Sequence, residues 1–169
     1  MIFVVGPSGG GKTTLLNAIL PEFPVLELLD LDAEEIHCVK LILARGDDPR
    51  GWEGRWRRNL ECLLKAEARP DVDVIVDVGA GSLETADGRR FFVERWRSTI
   101  AVVAPWPVVY ERRHLGRTPE EFQRIEYSEE RQKVYRAARF RVDSICDKDE
   151  SVRQLRAAIQ ELLSDKPVH

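Results

Sequence analysis

Apolar residues along this chain follow two rhythms. In the first they form short, nearly unbroken runs: Ile2-Phe3-Val4-Val5, Val25–Leu29, Val72–Val78 and Thr99–Ala104. Runs of this kind suit strands covered on both faces, as in a parallel sheet. Phe140–Ile145 alternates and reads as a fifth strand. In the second rhythm apolar residues recur every three or four positions, which predicts helices over 14–20, 33–44, 52–68, 84–97, 106–115, 122–139 and 150–163. Their packing faces are expected to include Leu15, Leu16, Ile19 and Leu20, then Trp56, Leu60, Leu63 and Leu64. Phe91, Phe92, Val93 and Trp96 follow, and finally Val152, Leu155, Ile159, Leu162 and Leu163.

Punctuation supports the division. Pro21 and Pro24 end the first helix, residues 45–54 form a loop rich in Gly, Asp and Pro, and Arg69-Pro70 stops another helix. Thr118-Pro119-Glu120-Glu121 has a cap, a proline and acids in the order that starts a helix. A break is expected near Tyr127-Ser128. Strands alternating with helices predict an α/β chain: one three-layer domain over 1–169 with a five-stranded parallel sheet and a frayed tail at 164–169.

The first strand runs into Gly6-Pro7-Ser8-Gly9-Gly10-Gly11-Lys12-Thr13, which fits G-x-x-x-x-G-K-[ST] at every fixed position. Strand, glycine-rich turn and helix N-terminus are the parts of an anion site. Glycines let backbone N–H groups converge on phosphate oxygens, and the helix end adds partial positive charge. Gly9, Gly10, Gly11, Lys12, Thr13 and Thr14 are therefore candidate nucleotide contacts, with Lys12 reaching the β- and γ-phosphates and Thr13 ligating Mg2+.

Carboxylates stand at the ends of the next strands. Asp30 and Asp32, two apart on an extended segment, point the same way. Asp32 also fits a helix N-cap, with Glu35 completing a capping box. Asp77 ends the third run beside Gly79-Ala80-Gly81 and is a candidate Mg2+ carboxylate or a partner for loop amides. Arg55, Arg57 and Arg58 surround Trp56, a cluster that suits a small anionic substrate or a solvated face.

Composition narrows the class. Apolar content is 43% over 169 residues, and no run approaches the roughly 18–20 that a membrane span needs. No signal-peptide pattern opens the chain. Cys38, Cys62 and Cys146 are scattered, as in a cytoplasmic protein with reduced thiols. Net charge is −3, which argues against nucleic acid as a partner. Of the basic residues 20 are Arg and 6 Lys, and arginine's planar fork suits carboxylate and phosphate.

In order and spacing these pieces resemble the shikimate kinase family of phosphate-loop small-metabolite kinases, over nearly the whole chain. The series is the phosphate loop, Asp30-x-Asp32, the Trp56-Arg57 pair, the 79–81 turn, a basic lid start and Arg131-x-x-x-Tyr135. The resemblance implies a fold with a short lid near 116–128 and transfer of the ATP γ-phosphate to an alcohol, with Mg2+. It implies Asp30 as a magnesium-linked carboxylate and Asp32 as contact or base for the acceptor hydroxyl. Arg57 and Arg131 would clamp the acceptor's carboxylate, and Gly79, Ala80 and Gly81 would abut it. Arg113 would lie near adenine, and Arg117 would be the lid arginine that reaches phosphate.

Departures from the pattern fall on the acceptor side. Ala80 replaces a glycine, Leu60 a glutamate, Thr118 interrupts the arginine-proline pair that opens the lid, and Asp77 is an extra acid. The expected acceptor is shikimate or a related anionic cyclitol, with a sugar acid, an antibiotic hydroxyl or a nucleoside as alternatives. A nucleotide-binding regulator without transfer activity is the alternative of another class. The expected assembly is a monomer or weak dimer without membrane or nucleic-acid partners.

Overall fold

The computed structural model describes residues 1–32, 51–69, 71–113, 115–145 and 147–165. Five strands lie in one sheet: β1 Ile2–Val5, β2 Leu26–Asp30, β3 Asp73–Asp77, β4 Thr99–Val103 and β5 Phe140–Asp143. Every pairing is parallel and the order is β2-β3-β1-β4-β5. Seven α-helices are seen among the described residues: α1 Lys12–Ile19, α2 Trp52–Glu67, α3 Ala86–Glu94, α4 Trp106–Arg112, α5 Pro119–Glu126, α6 Glu129–Ala137 and α7 Lys148–Ser164. The expected helix over 33–44 lies outside the described residues, as do Cys38, Cys146 and the end of the tail.

The unbroken apolar runs have the expected cause: the sheet is covered on both faces. Successive residues of β1 point to opposite sides. Ile2 and Val4 join Leu15, Leu16 and Ile19 of α1 and Leu155, Ile159 and Leu162 of α7. Phe3 and Val5 join Trp56 and Leu63 of α2, Phe91 and Phe92 of α3, and Val134 and Tyr135 of α6. Phe3, Trp56, Phe91 and Phe92 meet edge to face, with ring centroids from 5.1 Å (Phe91–Phe92) to 6.0 Å (Trp56–Phe92). Each ring contributes about 1.5–3 kcal/mol by leaving water.

Some expected packing positions are not in the core. Leu64 is 52% exposed, because the buried stripe of α2 runs through Trp56, Asn59, Leu63 and Ala66 and Leu64 falls off it. The helix expected over 84–97 is shorter. Thr85 caps α3, its Oγ1 accepting the Gly88 N–H at 3.0 Å, and a separate 3-10 turn covers Trp96–Ser98. Val93 therefore sits on an outer face and Trp96 beyond the helix, both partly exposed.

Helix α4 ends at Arg112, before the positive φ of Leu115 and Gly116. The caps at Thr118 and Ser128 form as read. Thr118 and Glu121 make a reciprocal capping box, and Ser128 caps α6 after the break at Tyr127. No helix among the described residues is long and apolar enough to cross a membrane.

Candidate active site

The carboxyl ends of β1, β2 and β3 bring the sequence motifs to one edge of the sheet. The glycine-rich turn occupies the junction of β1 and α1. At Gly6 a Cβ would lie 2.2 Å from the Val102 carbonyl oxygen, so the loop passes too close to β4 for any side chain. Gly9 has φ +80, a backbone conformation that favours glycine.

Lys12 is buried, and its Nζ donates to the carbonyls of Gly6 (3.0 Å) and Pro7 (3.2 Å). Burial lowers its pKa, and the nearby Asp77, Asp32 and Glu126 charges oppose that shift. Thr13 Oγ1 donates to Asp77 Oδ2 at 2.5 Å.

The sheet register places Asp30 opposite Asp77. Asp30 Oδ1 accepts the Asp32 N–H at 2.9 Å, and Leu31 and Asp32 have helical backbone. The capping role expected of Asp32 therefore falls to Asp30, since a cap side chain takes the N–H two residues on. The expected Glu35 partner lies outside the described residues. The two acids also do not extend in parallel: Asp30 turns back onto the chain while Asp32 faces the 79–81 turn.

At Gly79 a Cβ would fall 1.8 Å from Asp32 Oδ1, which is why the turn has glycine there. Asp32 as a residue is exposed, but its carboxylate is seated on this backbone. Loss of hydration raises its pKa and Asp30 adds to the shift, while Lys12, Arg113 and Arg55 oppose it. Asp77 is 4% exposed. Its pKa is also raised by burial, against Lys12 and the Thr13 hydrogen bond.

One cavity of about 540 Å³ joins these groups. Gly9, Gly11, Lys12, Thr13 and Thr14 form its floor. Asp32, Asp77 and Ala80 form one wall, and Arg112, Arg113, Ser144, Lys148 and Ser151 the far end. Gly10 is packed beneath the loop on Pro7. Asp30, Gly79 and Gly81 stand behind the lining; a Cβ on Gly81 would press on Trp52 at 3.3 Å.

The donor set fits magnesium. The hydroxyl of Thr13 and the carboxylates of Asp77 and Asp30 are hard oxygen ligands. Among the described residues no group of three or more His, Cys, Asp or Glu could by itself hold a metal. Magnesium commonly uses one or two carboxylates plus substrate phosphates and water.

Asp77 yields a test of this electrostatic picture. Its pKa is raised in the folded state, so the folded chain binds more protons than the unfolded one and stability falls as pH rises through that window. Asp77→Asn keeps an acceptor for Thr13 and removes the charge. Its melting temperature without ligand should exceed wild type at pH 8, at about 2–4 °C per kcal/mol, and the gap should close on acidification. Its affinity for Mg·ATP should fall. A variant no more stable than wild type at pH 8 would contradict the assigned strain.

The arginines sort differently from expectation. Arg57 is exposed, whereas Trp56, Arg58 and Asn59 face inward. Arg55 is half-buried, lies over the Trp52 ring at 4.8 Å and interacts electrostatically with Asp32. Arg131 is 2% exposed and already holds two carboxylates, Glu84 and Glu126, each at 2.6 Å. Arg117 pairs with Glu126 at 3.0 Å.

Sequence reasoning placed Arg55 in a cluster suited to an anionic substrate but missed Trp52, Glu84 and Glu126 as members of this region, and Arg112, Ser144, Lys148 and Ser151 at the far end. The far-end group had a usable signal, because Ser144, Lys148 and Ser151 follow β5 at the same sheet edge.

No family model matches the sequence, and no curated protein matches it by sequence. Solved structures do match. A shikimate kinase from Acinetobacter baumannii, solved in complex with shikimate, is 21% identical with TM-score 0.65, over 99% of this chain and 94% of that one. A shikimate kinase from Aquifex aeolicus is 20% identical with TM-score 0.65, over 98% and 99%. A gluconokinase from Sinorhizobium meliloti is 17% identical with TM-score 0.61, over 97% and 93%. Across nearly its whole length, then, this chain has the α/β fold seen in shikimate kinases and a gluconokinase, built on a five-stranded parallel sheet.

Proposed function

We propose that the protein is an ATP-dependent kinase of a small molecule, transferring the γ-phosphoryl group to an alcohol. The observation that carries this reading is that one cavity brings a phosphate loop with a buried lysine to face Asp32 and Asp77. A loop that only bound nucleotide would not need a second carboxylate, Asp32, beside Asp77 on the cavity wall.

Catalysis of this kind rests on positioning and charge stabilisation. Lys12 and the loop amides hold the β- and γ-phosphates, and Arg113 with Lys148 lies toward the rest of the nucleotide. Thr13 and Asp77, with Asp30 in support, would hold Mg2+, which would supply neutralising charge to the phosphates. Asp32 takes the proton of the acceptor hydroxyl as its oxygen bonds to phosphorus and the bond to the β-phosphate oxygen breaks. Its raised pKa makes it a stronger base than an ordinary carboxylate. Arg117 meets the charge that develops on the transferred group.

An anionic group on the acceptor meets Arg55, which acts on Asp32, rather than the exposed Arg57. Arg55 shares the helix face with Trp52, whose ring packs on the Gly81 turn. The commitment of Arg131 to Glu84 and Glu126 favours an acceptor other than shikimate, such as a sugar acid, because one of the two expected clamps is closed.

A coupled ADP-release assay over hydroxy acids, cyclitols, sugar acids and nucleosides tests the activity. At least one acceptor should accelerate ADP release; a panel that leaves the ATP turnover unchanged would count against transfer. With a carboxylated acceptor, Arg55→Ala should raise KM for that acceptor about 10- to 100-fold, the worth of a charge-assisted hydrogen bond. KM for ATP should not change, and Arg57→Ala should stay within about twofold of wild type for both. A larger loss from Arg57→Ala would reverse the assignment.

A further inference from the structure

Glu126 closes α5 where the lid returns to the phosphate loop. It is 3% exposed, and both carboxylate oxygens are in use. Oε1 accepts from Arg117 Nη1 at 3.0 Å. Oε2 accepts from Arg131 Nη1 at 2.6 Å and from the backbone N–H of Ser8, inside the phosphate loop, at 3.3 Å. Arg131 passes its Nη2 to Glu84 at 2.6 Å, at the end of the 79–81 turn. Two carboxylates and two guanidiniums thus form a neutral cluster touching lid, loop and acceptor turn.

Two features define what Glu126 does there. Arg117 spends one N–H on Glu126, and among the described residues its other N–H groups have no partner. Its side chain is 28% exposed, and its carbonyl accepts from the Tyr110 hydroxyl at 3.0 Å. The guanidinium is therefore held from behind with donors to spare. The second feature is the Ser8 amide, which ties the end of the lid to the loop that binds phosphate. Were Arg117 to leave, the buried Glu126 would share Arg131 with the half-buried Glu84, and an unmatched buried charge is costly. Arg117 can engage an anion while staying on Glu126.

We propose that Glu126 is a positioning residue that holds Arg117 ready for the terminal phosphate of the bound nucleotide, an inference that rests on the nucleotide-binding reading above. The test is calorimetric titration with Mg·ADP and with the magnesium complex of a non-hydrolysable ATP analogue, in wild type, Glu126→Gln, Arg117→Ala and the double variant. Wild type should prefer the triphosphate. Glu126→Gln should reduce that preference by about tenfold or more, Arg117→Ala should do the same, and the double variant should lose no more than either single change.

A filler of space would not produce this shared loss. Full preference retained in a folded Glu126→Gln, or independent losses that multiply in the double variant, would overturn the inference alone. Wild type that binds neither nucleotide would overturn the functional reading and this inference with it. If circular dichroism shows Glu126→Gln unfolded, Glu126→Asp takes its place. That variant keeps the charge and retracts it by one methylene, so its preference should drop, and an undiminished preference would overturn the inference.

Discussion

Replacing Lys12 with alanine should remove at least about 10²–10³-fold of kcat, the scale of losing one preorganised donor to developing charge. ATP affinity should fall as well. Lys12 is the buried cation of the glycine-rich loop, and its ammonium is held by two loop carbonyls at the floor of the cavity. Those carbonyl contacts are weaker partners than phosphate oxygens, so on the proposed reading the ammonium exchanges them for nucleotide phosphate. Burial works against its charge, and the neighbouring Asp77 and Asp32 offset part of that penalty. Steady-state kinetics checks the expectation, with circular dichroism showing that the variant is folded. A folded Lys12→Ala protein with wild-type turnover would remove the phosphate loop from the mechanism.

Asp32→Asn should lower kcat by about 10²–10⁴-fold, the range for a positioned acid or base, and leave ATP binding nearly intact. The amide has the same shape, so the close fit on Gly79 persists and the loss reports the missing charge. The pH profile gives a second readout. On the proposed mechanism activity requires the ionised form, and burial raises the folded pKa. Acid inactivation of wild type should therefore set in above the ordinary Asp value of about 3.9, with activity lost as pH falls through the raised value. The part of the acid limb that Asp32 supplies should be missing from the residual activity of Asp32→Asn, leaving the part set by Asp77. Equal kcat in both proteins would show that Asp32 only shapes the pocket.

How well each part could be foreseen depended on how local its cause is. β1, the glycine turn and α1 were readable because motif, apolar run and helix start adjoin in sequence. The Thr118–Glu121 capping box and the Ser128 restart were readable because a cap involves residues three apart. The phase of α2 was not. Arg55, Arg57 and Arg58 lie within one turn, about 100° apart per residue, and packing of Trp56 against Phe91 and Phe92 decides which arginine faces Asp32.

The cluster around Glu126 was the least legible. Arg131 meets Glu84 across 47 residues and Glu126 meets Ser8 across 118, so neither pairing leaves a periodic trace. The family resemblance directed attention to Arg131 as a clamp, while the fold supplies that arginine with internal carboxylates. Asp30 shows a milder form of the same limit. It was read as a magnesium-linked carboxylate, and its second role, accepting the Asp32 N–H as a cap, was not read.

Isothermal titration calorimetry of Mg·ATP into the wild-type protein, repeated with Lys12→Ala, tests the central claim most directly. A loop of converging amides around one buried lysine should give saturable heat at one site in wild type and little or none in the variant. A folded wild-type protein that gives no heat, or a Lys12→Ala protein that binds as tightly, would contradict the account.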